Sequence, residues 1–206
     1  MAVVVAVAIG YLLGSIPMGL IASRFSGGID VRNYGSGKTG FTNSLRVLGL
    51  KRAAPVFLAD FAKGLAAALT PLLYTHDPWA RALGGLAAVI GHVWPIFAGF
   101  RGGRGVLTGA GVLIGLTPLA LIIVLPIAAL TLFLWRYMSL TSISTAALAA
   151  TSYVVFAAAG WSHWQFAVVA VIGATLIVLL HHDNVSRLLA GTERRVGERA
   201  NTATLR

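Results

Sequence analysis

Cysteine is absent from this chain of 206 residues, and acidic residues number only six. Without cysteine the protein has no disulfide, no thiolate ligand for a metal and no thiol that could carry a thioester intermediate. The six carboxyl groups are scattered along the chain, so none of them belongs to the carboxylate cluster that a hard cation requires. We therefore predict that the protein uses no metal, and no motif in the sequence indicates a cofactor.

Charged residues of both signs are also scarce, at 11% of the chain against 57% hydrophobic residues, and the mean hydropathy is +0.83. A composition this apolar over nearly the whole length is typical of a protein whose solvent is lipid. The longest polar stretch, at about thirty residues, is too short for a separate soluble domain. The composition predicts an all-α integral membrane protein with a single domain over residues 1–206.

Seven hydrophobic runs are candidates for membrane spans, which need about 17 to 25 apolar residues. They lie at 2–23, 53–75, 81–98, 105–116, 117–135, 140–160 and 164–181. The first run has no basic residue before it, so we interpret it as a retained helix and not as a signal peptide. The run at 105–116 is short and rich in glycine, so 105–135 forms either two spans or one re-entrant hairpin.

The formal net charge of +10 would suggest nucleic acid as a partner for a soluble protein. In a membrane protein it is explained by the preference of Lys and Arg for cytoplasmic loops. If the N-terminus is outside and the chain crosses seven times, fourteen of the sixteen basic residues are cytoplasmic. Only Arg81 is then outside, and Lys63 lies within a span. We predict an external N-terminus, a cytoplasmic C-terminus and no binding of nucleic acid.

This topology leaves three polar segments on the cytoplasmic side, at 24–52 (the first segment), 99–105 (the second) and 181–206 (the third). In the first segment, glycines alternate with Ser36, Lys38 and Thr39 before a helical run that leads to Arg46. Glycine allows backbone amides to turn toward an anion, and a helix N-terminus adds partial positive charge. The candidate phosphate-binding residues here are Gly35, Gly37, Lys38, Thr42 and Asn43. The alternative is a flexible connector whose basic residues only fix the topology.

In the second segment, Arg101 and Arg104 flank Gly102 and Gly103, and Gly105 leads into the next hydrophobic run. Guanidinium groups bind phosphate oxygens in a bidentate manner, so two of them over a glycine turn predict a phosphate site. The alternative is a tight turn whose arginines extend to the membrane surface. His92, in the preceding hydrophobic run, is interpreted as a structural histidine.

The third segment begins with His181, Asn184 and Arg187, which share one face if the preceding helix continues. This face would carry an acid–base group, an amide and a cation at the bilayer surface, although an ordinary interfacial helix end is the alternative. Asp60 and Lys63 are also three residues apart, within the second run. Because a charge in lipid costs about 2.5 to 3.5 kcal/mol, we predict that these two pair inside the protein in a supporting role.

Five motifs in order resemble those of the bacterial membrane acyl-phosphate:glycerol-3-phosphate acyltransferases, and the resemblance covers nearly the whole chain. They are Leu13–Gly19, Gly35–Arg46, Asp60–Gly64, Gly91–Thr108 and His181–Glu193. The resemblance implies seven spans in the bacterial inner membrane and an active site on the cytoplasmic face. It also implies transfer of a fatty acyl group from acyl phosphate to the 1-hydroxyl of glycerol 3-phosphate, giving lysophosphatidic acid and phosphate, without metal or acyl-CoA.

Carried over position by position, the resemblance also implies residue roles. Ser36 and Arg46 match the family's essential pair in the first segment, and Gly102, Gly103, Arg104 and Gly105 match its phosphate-binding loop. His181 and Asn184 match its active-site pair in the third segment. Glu193 matches a residue that the family needs mainly for structural integrity. The family usually has Asn where Lys38 stands and Lys where Arg101 and Arg104 stand, so Lys38 adds a cation to the first segment and the two arginines keep the charge of the second. Acyl phosphate has a good leaving group, so no covalent acyl-enzyme is expected. The proton acceptor is either His181 or a phosphate oxygen of the substrate.

Two other classes of function compete with this interpretation. A transporter of a phosphorylated metabolite would also have glycine-rich loops, but its ionisable residues should lie near the midplane and on both sides. A non-catalytic scaffold leaves the three polar segments unexplained. Membrane lipid and the two substrates are the only partners that the sequence indicates, with no obligate protein partner.

Overall fold

The structure, a computed structural model, describes residues 1–198, and these residues are all-helical, which confirms the predicted fold class. The helices are α1 (Ala2–Gly14), α2 (Met18–Arg24), α3 (Phe41–Leu48), α4 (Leu50–Leu69), α5 (Pro78–Val93), α6 (Val106–Leu116), α7 (Ala120–Trp135), α8 (Met138–Ala158), α9 (Trp164–Leu179) and α10 (His182–Leu189). Single 3-10 turns lie at Val31–Asn33, Thr70–Leu73 and Ile96–Ala98. Arg199 and Arg206, which were counted in the predicted topology, lie outside the described residues.

Several of these helices are suited to cross a membrane. Four stretches are long and apolar enough, namely Ala2–Arg24, Leu50–Leu73, Pro78–Ala98 and Met138–Ala158. Helix α9 joins α10 at a bend of 56°, and this pair gives a fifth candidate. Val106–Leu116 and Ile122–Trp135 are apolar but shorter. The protein is therefore an integral membrane protein, whereas the count of seven spans and the choice between two spans and a hairpin at 105–135 stay predictions.

The break between α1 and α2 has a local cause and a distant partner. Pro17 has no N–H group to continue the helical hydrogen bonds, so the chain turns there before α2 begins. The carbonyl oxygen of Ile16 accepts a hydrogen bond of 3.1 Å from the amide of Met18 and one of 3.0 Å from Lys63 Nζ on α4. A buried lysine thus gives this carbonyl oxygen a second donor, which lipid could not supply.

Close helix contacts depend on glycine at two interfaces. A Cβ atom on Gly10 of α1 would lie 2.0 Å from the carbonyl oxygen of Gly84 on α5. A Cβ atom on Gly64 of α4 would lie equally close, at 2.0 Å, to the carbonyl oxygen of Thr108 on α6. Small residues allow such approach where membrane helices pack by van der Waals contact. These interfaces bring α1, α4, α5 and α6 together around the region where the polar segments meet.

The outer surface is apolar, as a surface that faces lipid must be. Ile122 and Phe133 on α7 are 70% and 81% exposed. Inside, Tyr153 is fully buried and donates a hydrogen bond to the carbonyl oxygen of Leu113, so its hydroxyl is satisfied within the bundle. Large apolar side chains therefore cover the outside of the bundle, where a soluble protein would mostly have polar ones.

The three polar segments meet at one end of the bundle. The Thr39 amide donates to the carbonyl oxygen of Gly102 at 3.4 Å, and Arg32 donates to the carbonyl oxygen of Ala98 at 3.1 Å. These two hydrogen bonds join the first segment to the second segment and to the residue directly before it. Arg104 Nε donates to the carbonyl oxygen of Leu180 at 3.0 Å, which joins the second segment to the start of the third. Stretches far apart in sequence therefore surround one volume.

Candidate active site

A polar cavity of about 120 Å³ lies where the segments meet. Twelve of the predicted site residues line it, namely Ser36, Lys38, Thr42, Asn43, Arg46, Asp60, His92, Arg104, Gly105, His181, Asn184 and Glu193. The other predicted residues, Gly35, Gly37, Lys63, Arg101, Gly102, Gly103 and Arg187, are not part of its wall. All three polar segments contribute to one cavity, and three of the lining side chains are basic.

Asn43, in the first turn of α3, organises the first segment. Its Nδ2 atom lies within hydrogen-bonding distance of the carbonyl oxygens of Val31 (2.8 Å), Lys38 (2.9 Å) and Tyr34 (3.1 Å). Its Oδ1 atom accepts a hydrogen bond of 2.8 Å from the backbone amide of Ser36. The side chain is 2% exposed, so these contacts use its hydrogen-bonding capacity within the loop. Direct phosphate binding by Asn43 stays a prediction; its observed contacts order the loop.

Gly35 and Gly37 give the first segment its shape. Their φ angles are +64° and +68°, in the left-handed region that residues with a side chain adopt rarely. A Cβ atom on Gly35 would also lie 2.2 Å from Asn43 Oδ1. The two turns allow Ser36, between them, to reach the cavity while its amide is held by Asn43.

The second segment contributes an arginine side chain to the polar cavity, whereas its glycine amides bond elsewhere. The amides of Gly102 and Gly103 donate to the carbonyl oxygens of Val93 (3.2 Å) and His92 (3.1 Å), so both amides already have protein partners. Gly105 has a φ of +79° and precedes the first turn of α6. What this turn places on the cavity wall is therefore Arg104 and Gly105, and phosphate binding by Gly102, Gly103 and the more distant Arg101 stays a prediction.

The arginines of the site are half-buried cations. Burial lowers the pKa of Arg104, and the positive charge of Arg187 adds to this effect. Burial also lowers the pKa of Arg46, while the negative charge of Glu193 opposes it. A guanidinium stays protonated despite such shifts, because its ordinary pKa lies far above neutrality. Partly desolvated cations of this kind bind an anion more strongly than exposed ones do.

His181 follows α9 at the bend into α10, and its ring is held in one orientation. Its Nδ1 atom lies 2.7 Å from the carbonyl oxygen of Ile177, which requires the ring proton to be on Nδ1. The residue is 3% exposed, and burial, with a smaller contribution from the charge of Arg104, lowers its pKa to about 4. His181 is therefore neutral near pH 7, and its Nε2 atom is a hydrogen-bond acceptor.

Glu193 joins the third segment to α8. Its Oε1 atom accepts hydrogen bonds from Asn184 Nδ2 (2.7 Å) and Ser139 Oγ (2.9 Å), and its Oε2 atom accepts one from Arg187 Nε (2.8 Å). Burial acts to raise the pKa of Glu193, but the hydrogen bonds from Arg187, Asn184 and Ser139 outweigh it, so the pKa is lowered. Sequence reasoning missed Ser139, because a serine at the start of an apolar helix carries no signal of its own.

Asp60, Lys63 and His92 lie together at the inner end of the site. Lys63 Nζ is 2.8 Å from Asp60 Oδ1, and His92 Nδ1 is 3.4 Å from the same oxygen. Asp60 and His92 reach the cavity wall, whereas Lys63 lies behind them. Within residues 1–198, no three His, Asp or Glu side chains converge in a way that could hold a metal ion.

A second, apolar cavity of about 320 Å³ adjoins the polar one. The two share five lining residues, namely Phe57, Val106, Leu107, Met138 and Ser142. The remainder of the apolar cavity extends between α4, α5, α6, α7, α8 and α9 and is lined almost wholly by aliphatic and small side chains. The combined site can thus receive a molecule with an anionic head and a long apolar chain.

Comparison with known proteins agrees with this geometry. The glycerol-3-phosphate acyltransferase family model matches residues 4–191. The glycerol-3-phosphate acyltransferase of Thermoanaerobacter sp. (strain X514) is 41% identical over 191 residues, which cover 93% of this chain and 94% of that protein. The protein of the same name from Streptococcus equi subsp. zooepidemicus (strain MGCS10565) is 40% identical over 190 residues, covering 90% and 88%.

Two solved structures are similar over nearly the full length. The crystal structure of PlsY (YgiH), an integral membrane glycerol 3-phosphate acyltransferase, in its glycerol 3-phosphate form has a TM-score of 0.86 at 36% identity, with 96% of each chain covered. Its lysophosphatidic acid form has a TM-score of 0.84 at 35% identity, with the same coverage of 96%. This chain therefore belongs to the glycerol-3-phosphate acyltransferase family.

Proposed function

We propose that the protein transfers a fatty acyl group from acyl phosphate to the 1-hydroxyl of sn-glycerol 3-phosphate, giving lysophosphatidic acid and phosphate. The observation that carries the proposal is the junction of a cationic cavity with an apolar one. Both proposed substrates are phosphate anions, and one of them also has a long alkyl chain. In the related PlsY, the glycerol 3-phosphate and lysophosphatidic acid forms name an acceptor and a product of this kind.

The first task of the site is to hold two anions that repel each other. Lys38, Arg46 and Arg104 all line the polar cavity, so three positive charges face the proposed substrates. Two unit charges 4 Å apart interact by about 4 kcal/mol at an effective dielectric constant of 20, so partly buried cations offset the repulsion effectively. Bidentate contacts from Arg46 and Arg104 would also fix the orientation of each phosphate.

The second task is to place the acyl chain. The shared wall of Phe57, Met138 and Ser142 lies where the head group of an acyl phosphate would meet the polar cavity. Its chain would occupy the apolar cavity, where each buried methylene contributes about 0.8 kcal/mol. This arrangement puts the acyl carbon beside the cationic groups and close to the acceptor.

The reaction then needs alignment more than covalent chemistry. The acceptor hydroxyl oxygen attacks the acyl carbon, the new ester bond forms, and the bond from the acyl carbon to the bridging phosphate oxygen breaks. The electron pair of that bond leaves with phosphate, which is stabilised by the arginines. No acyl-enzyme and no metal are required in this scheme, because the mixed anhydride already has a good leaving group.

The hydroxyl proton needs an acceptor. His181 Nε2 can accept a hydrogen bond, but a group whose pKa is about 4 holds a proton poorly near pH 7. A substrate phosphate oxygen, with a second pKa near 6, is the better final acceptor. We assign His181 the orientation of the hydroxyl, Asn184 and Glu193 the support of α10, and Ser36 a hydrogen bond to a substrate phosphate.

The proposal includes a location. The enzyme is placed in the bacterial inner membrane as a single domain over residues 1–206, with its N-terminus outside, its C-terminus in the cytoplasm and its active site on the cytoplasmic face. The bias of basic residues supports this orientation. Glycerol 3-phosphate is water-soluble and charged, so a site at a membrane surface allows it to bind without crossing lipid.

The proposal is tested with purified protein in lipid, supplied with glycerol 3-phosphate and one of three donors: acyl phosphate, acyl-CoA or acyl carrier protein. The expected result is phosphate release and lysophosphatidic acid formation with acyl phosphate alone, at equal rates in the presence of a chelator. Analysis of the product should place the acyl group on the 1-hydroxyl. Turnover with acyl-CoA and none with acyl phosphate would refute the proposed donor.

A further inference from the structure

Three ionisable side chains beside the polar cavity have no part in the chemistry described above. Asp60, Lys63 and His92 are 1%, 7% and 6% exposed. One oxygen, Asp60 Oδ1, lies 2.8 Å from Lys63 Nζ and 3.4 Å from His92 Nδ1. Ionisable groups within a membrane protein are costly, and a buried ion pair is often no more stabilising than packed apolar residues. Stability is therefore a poor explanation for this cluster.

His92 contacts the glycine turn that precedes Arg104. Its carbonyl oxygen accepts a hydrogen bond of 3.1 Å from the amide of Gly103. A Cβ atom on Gly103 would lie 2.1 Å from His92 Nε2, so the ring lies directly against this glycine. The backbone and the ring of one residue thus hold the turn from the same side.

Asp60 Oδ1 lies 3.4 Å from His92 Nδ1, within ion-pair range but farther than a normal hydrogen bond. A carboxylate beside Nδ1 favours the tautomer with its proton on Nδ1, which leaves Nε2 as an acceptor on the opposite edge of the ring. That edge faces Gly103, and a Cβ atom on Gly40 would lie 4.0 Å from Nε2. Because Gly40 directly precedes α3, the ring lies between the first and second polar segments.

Lys63 contacts the same carboxylate oxygen that lies beside His92. Its Nζ atom donates to the carbonyl oxygen of Ile16 at 3.0 Å as well as contacting Asp60. The cluster consequently connects the break between α1 and α2 to the turn at Gly102 and Gly103. A rotation of the Asp60 carboxylate would disturb both connections.

We infer that Asp60, Lys63 and His92 are positioning residues, which hold the Gly102–Gly103 turn so that Arg104 meets the phosphate group of the substrate. This inference rests on the proposed function, because it assigns a purpose to the orientation of Arg104. In this relay, the Asp60–Lys63 ion pair holds the imidazole of His92 in place, and the imidazole packs against the turn at Gly102–Gly103. The turn then sets the position of the Arg104 guanidinium. None of the three residues exchanges a proton with the substrate in this role.

The test is a double-mutant cycle between Asp60 and Arg104. Asp60→Asn keeps the shape of the side chain and removes the charge that orients His92. It should lower kcat/KM at least tenfold, mainly through a higher KM for glycerol 3-phosphate. In an Arg104→Lys background the same change should lower kcat/KM less than threefold, because Asp60 and His92 affect the substrate only through the position of Arg104. Equal losses in the two backgrounds would overturn the inference.

A matched control is available at the opposite end of the bundle. Asp77 accepts a hydrogen bond of 2.9 Å from the amide of Trp79 at the start of α5, outside the site. Asp77→Asn should leave the KM for glycerol 3-phosphate within twofold of the wild-type value. A KM that rises as much as it does in Asp60→Asn would show a general response to loss of a carboxylate and would also overturn the inference.

Two further measurements keep the inference testable if Asp60→Asn fails to fold. His92→Gln keeps a polar atom near the position of Nε2, so it should bind glycerol 3-phosphate more tightly than His92→Ala; equal binding contradicts the role of the ring. Binding is measured without any acyl donor, which separates this inference from the proposed function. Wild-type protein that binds glycerol 3-phosphate but does not use acyl phosphate refutes the donor, whereas wild-type affinity in both His92 variants refutes the relay.

Discussion

The backbone amide of Ser36 donates a hydrogen bond of 2.8 Å to Asn43 Oδ1, across a separation of seven residues. This contact connects the loop that carries Ser36 to the helix that carries Arg46. Because Asn43 lies in the first turn of α3, the loop and the helix are held in register by one buried side chain. The two first-segment residues that line the cavity, Ser36 and Arg46, depend on this contact for their relative placement.

Asn43→Asp tests whether the first-segment loop is ordered by the hydrogen bonds of Asn43 or only by the volume of its side chain. The aspartate keeps an acceptor for the Ser36 amide, but it loses the donor to three carbonyl oxygens and buries a charge. We expect kcat/KM to fall at least tenfold, which corresponds to about 1.4 kcal/mol of transition-state stabilisation. The control is Asn33→Ala, an exposed asparagine of the same segment, which should stay within twofold of wild type. Similar losses in both variants would contradict the role given to Asn43.

The sequence predicted the convergence of the three segments better than it predicted the contacts within them. Charge bias and glycine placement indicated one cationic cavity, and Arg46, Arg104 and His181 line it. Gly102 and Gly103 were predicted to belong to a phosphate loop, and this stays a prediction, but the structure shows that their amides donate to the carbonyl oxygens of Val93 and His92. Such pairing depends on how α5 meets the turn in three dimensions, which no local pattern reveals. Ser139 was missed for the same reason.

Glu193 should contribute stability that depends on pH. Its pKa in the folded protein is below the usual value near 4.5, so the unfolded chain binds the proton more readily. The contribution is therefore present above about pH 4.5 and is lost as pH falls through the lower pKa of the folded protein. We expect the wild-type melting temperature to fall over this acidic range more steeply than that of Glu193→Gln, measured in detergent. Parallel curves would contradict the assignment.

Removing the Glu193 side chain should have a larger effect than neutralising it. Glu193→Ala leaves Ser139 Oγ, Asn184 Nδ2 and Arg187 Nε without their acceptor, and an unpaired buried polar group costs about 1 to 3 kcal/mol. Glu193→Gln keeps an acceptor at this position. The expected order of melting temperature and of turnover is wild type, then Gln, then Ala. An alanine variant as stable as the glutamine variant would show that these hydrogen bonds matter little.

His181 should not produce a titration of activity near pH 6.5. Its pKa is lowered to about 4, chiefly by burial, so the ring is neutral over the whole range from pH 5.5 to 8. Over that range, kcat/KM of wild type should show only the ionisation of the substrate phosphates. His181→Ala should reduce turnover at least tenfold without changing the shape of this profile. An acidic limb near pH 6.5 that disappears in His181→Ala would mean that His181 titrates in this range and acts as the base in its neutral form.

The absence of cysteine makes the predicted orientation directly measurable. His76→Cys and Leu189→Cys each introduce one exposed thiol, at opposite ends of the bundle and outside the cavity. A maleimide that does not cross membranes should label His76→Cys in intact cells and Leu189→Cys only after the inner membrane is made permeable. The wild-type chain is the unlabelled control. The opposite pattern would place the active site on the outer face and refute the proposed topology.

Gly173 on α9 offers a way to shorten the apolar cavity without disturbing the polar one. The residue lines that cavity, and a Cβ atom added to it would meet no atom within 4 Å, so a larger side chain has room to extend. Gly173→Leu should lower kcat/KM for a sixteen-carbon acyl phosphate at least tenfold, because the inserted isobutyl group occupies the path of the chain. An eight-carbon donor ends closer to the shared wall and should lose less than threefold, while Gly173→Ala controls for the change in the helix backbone. Equal losses with both donors would mean that the acyl chain lies elsewhere, because a blocked cavity penalises only the carbons that would have entered it.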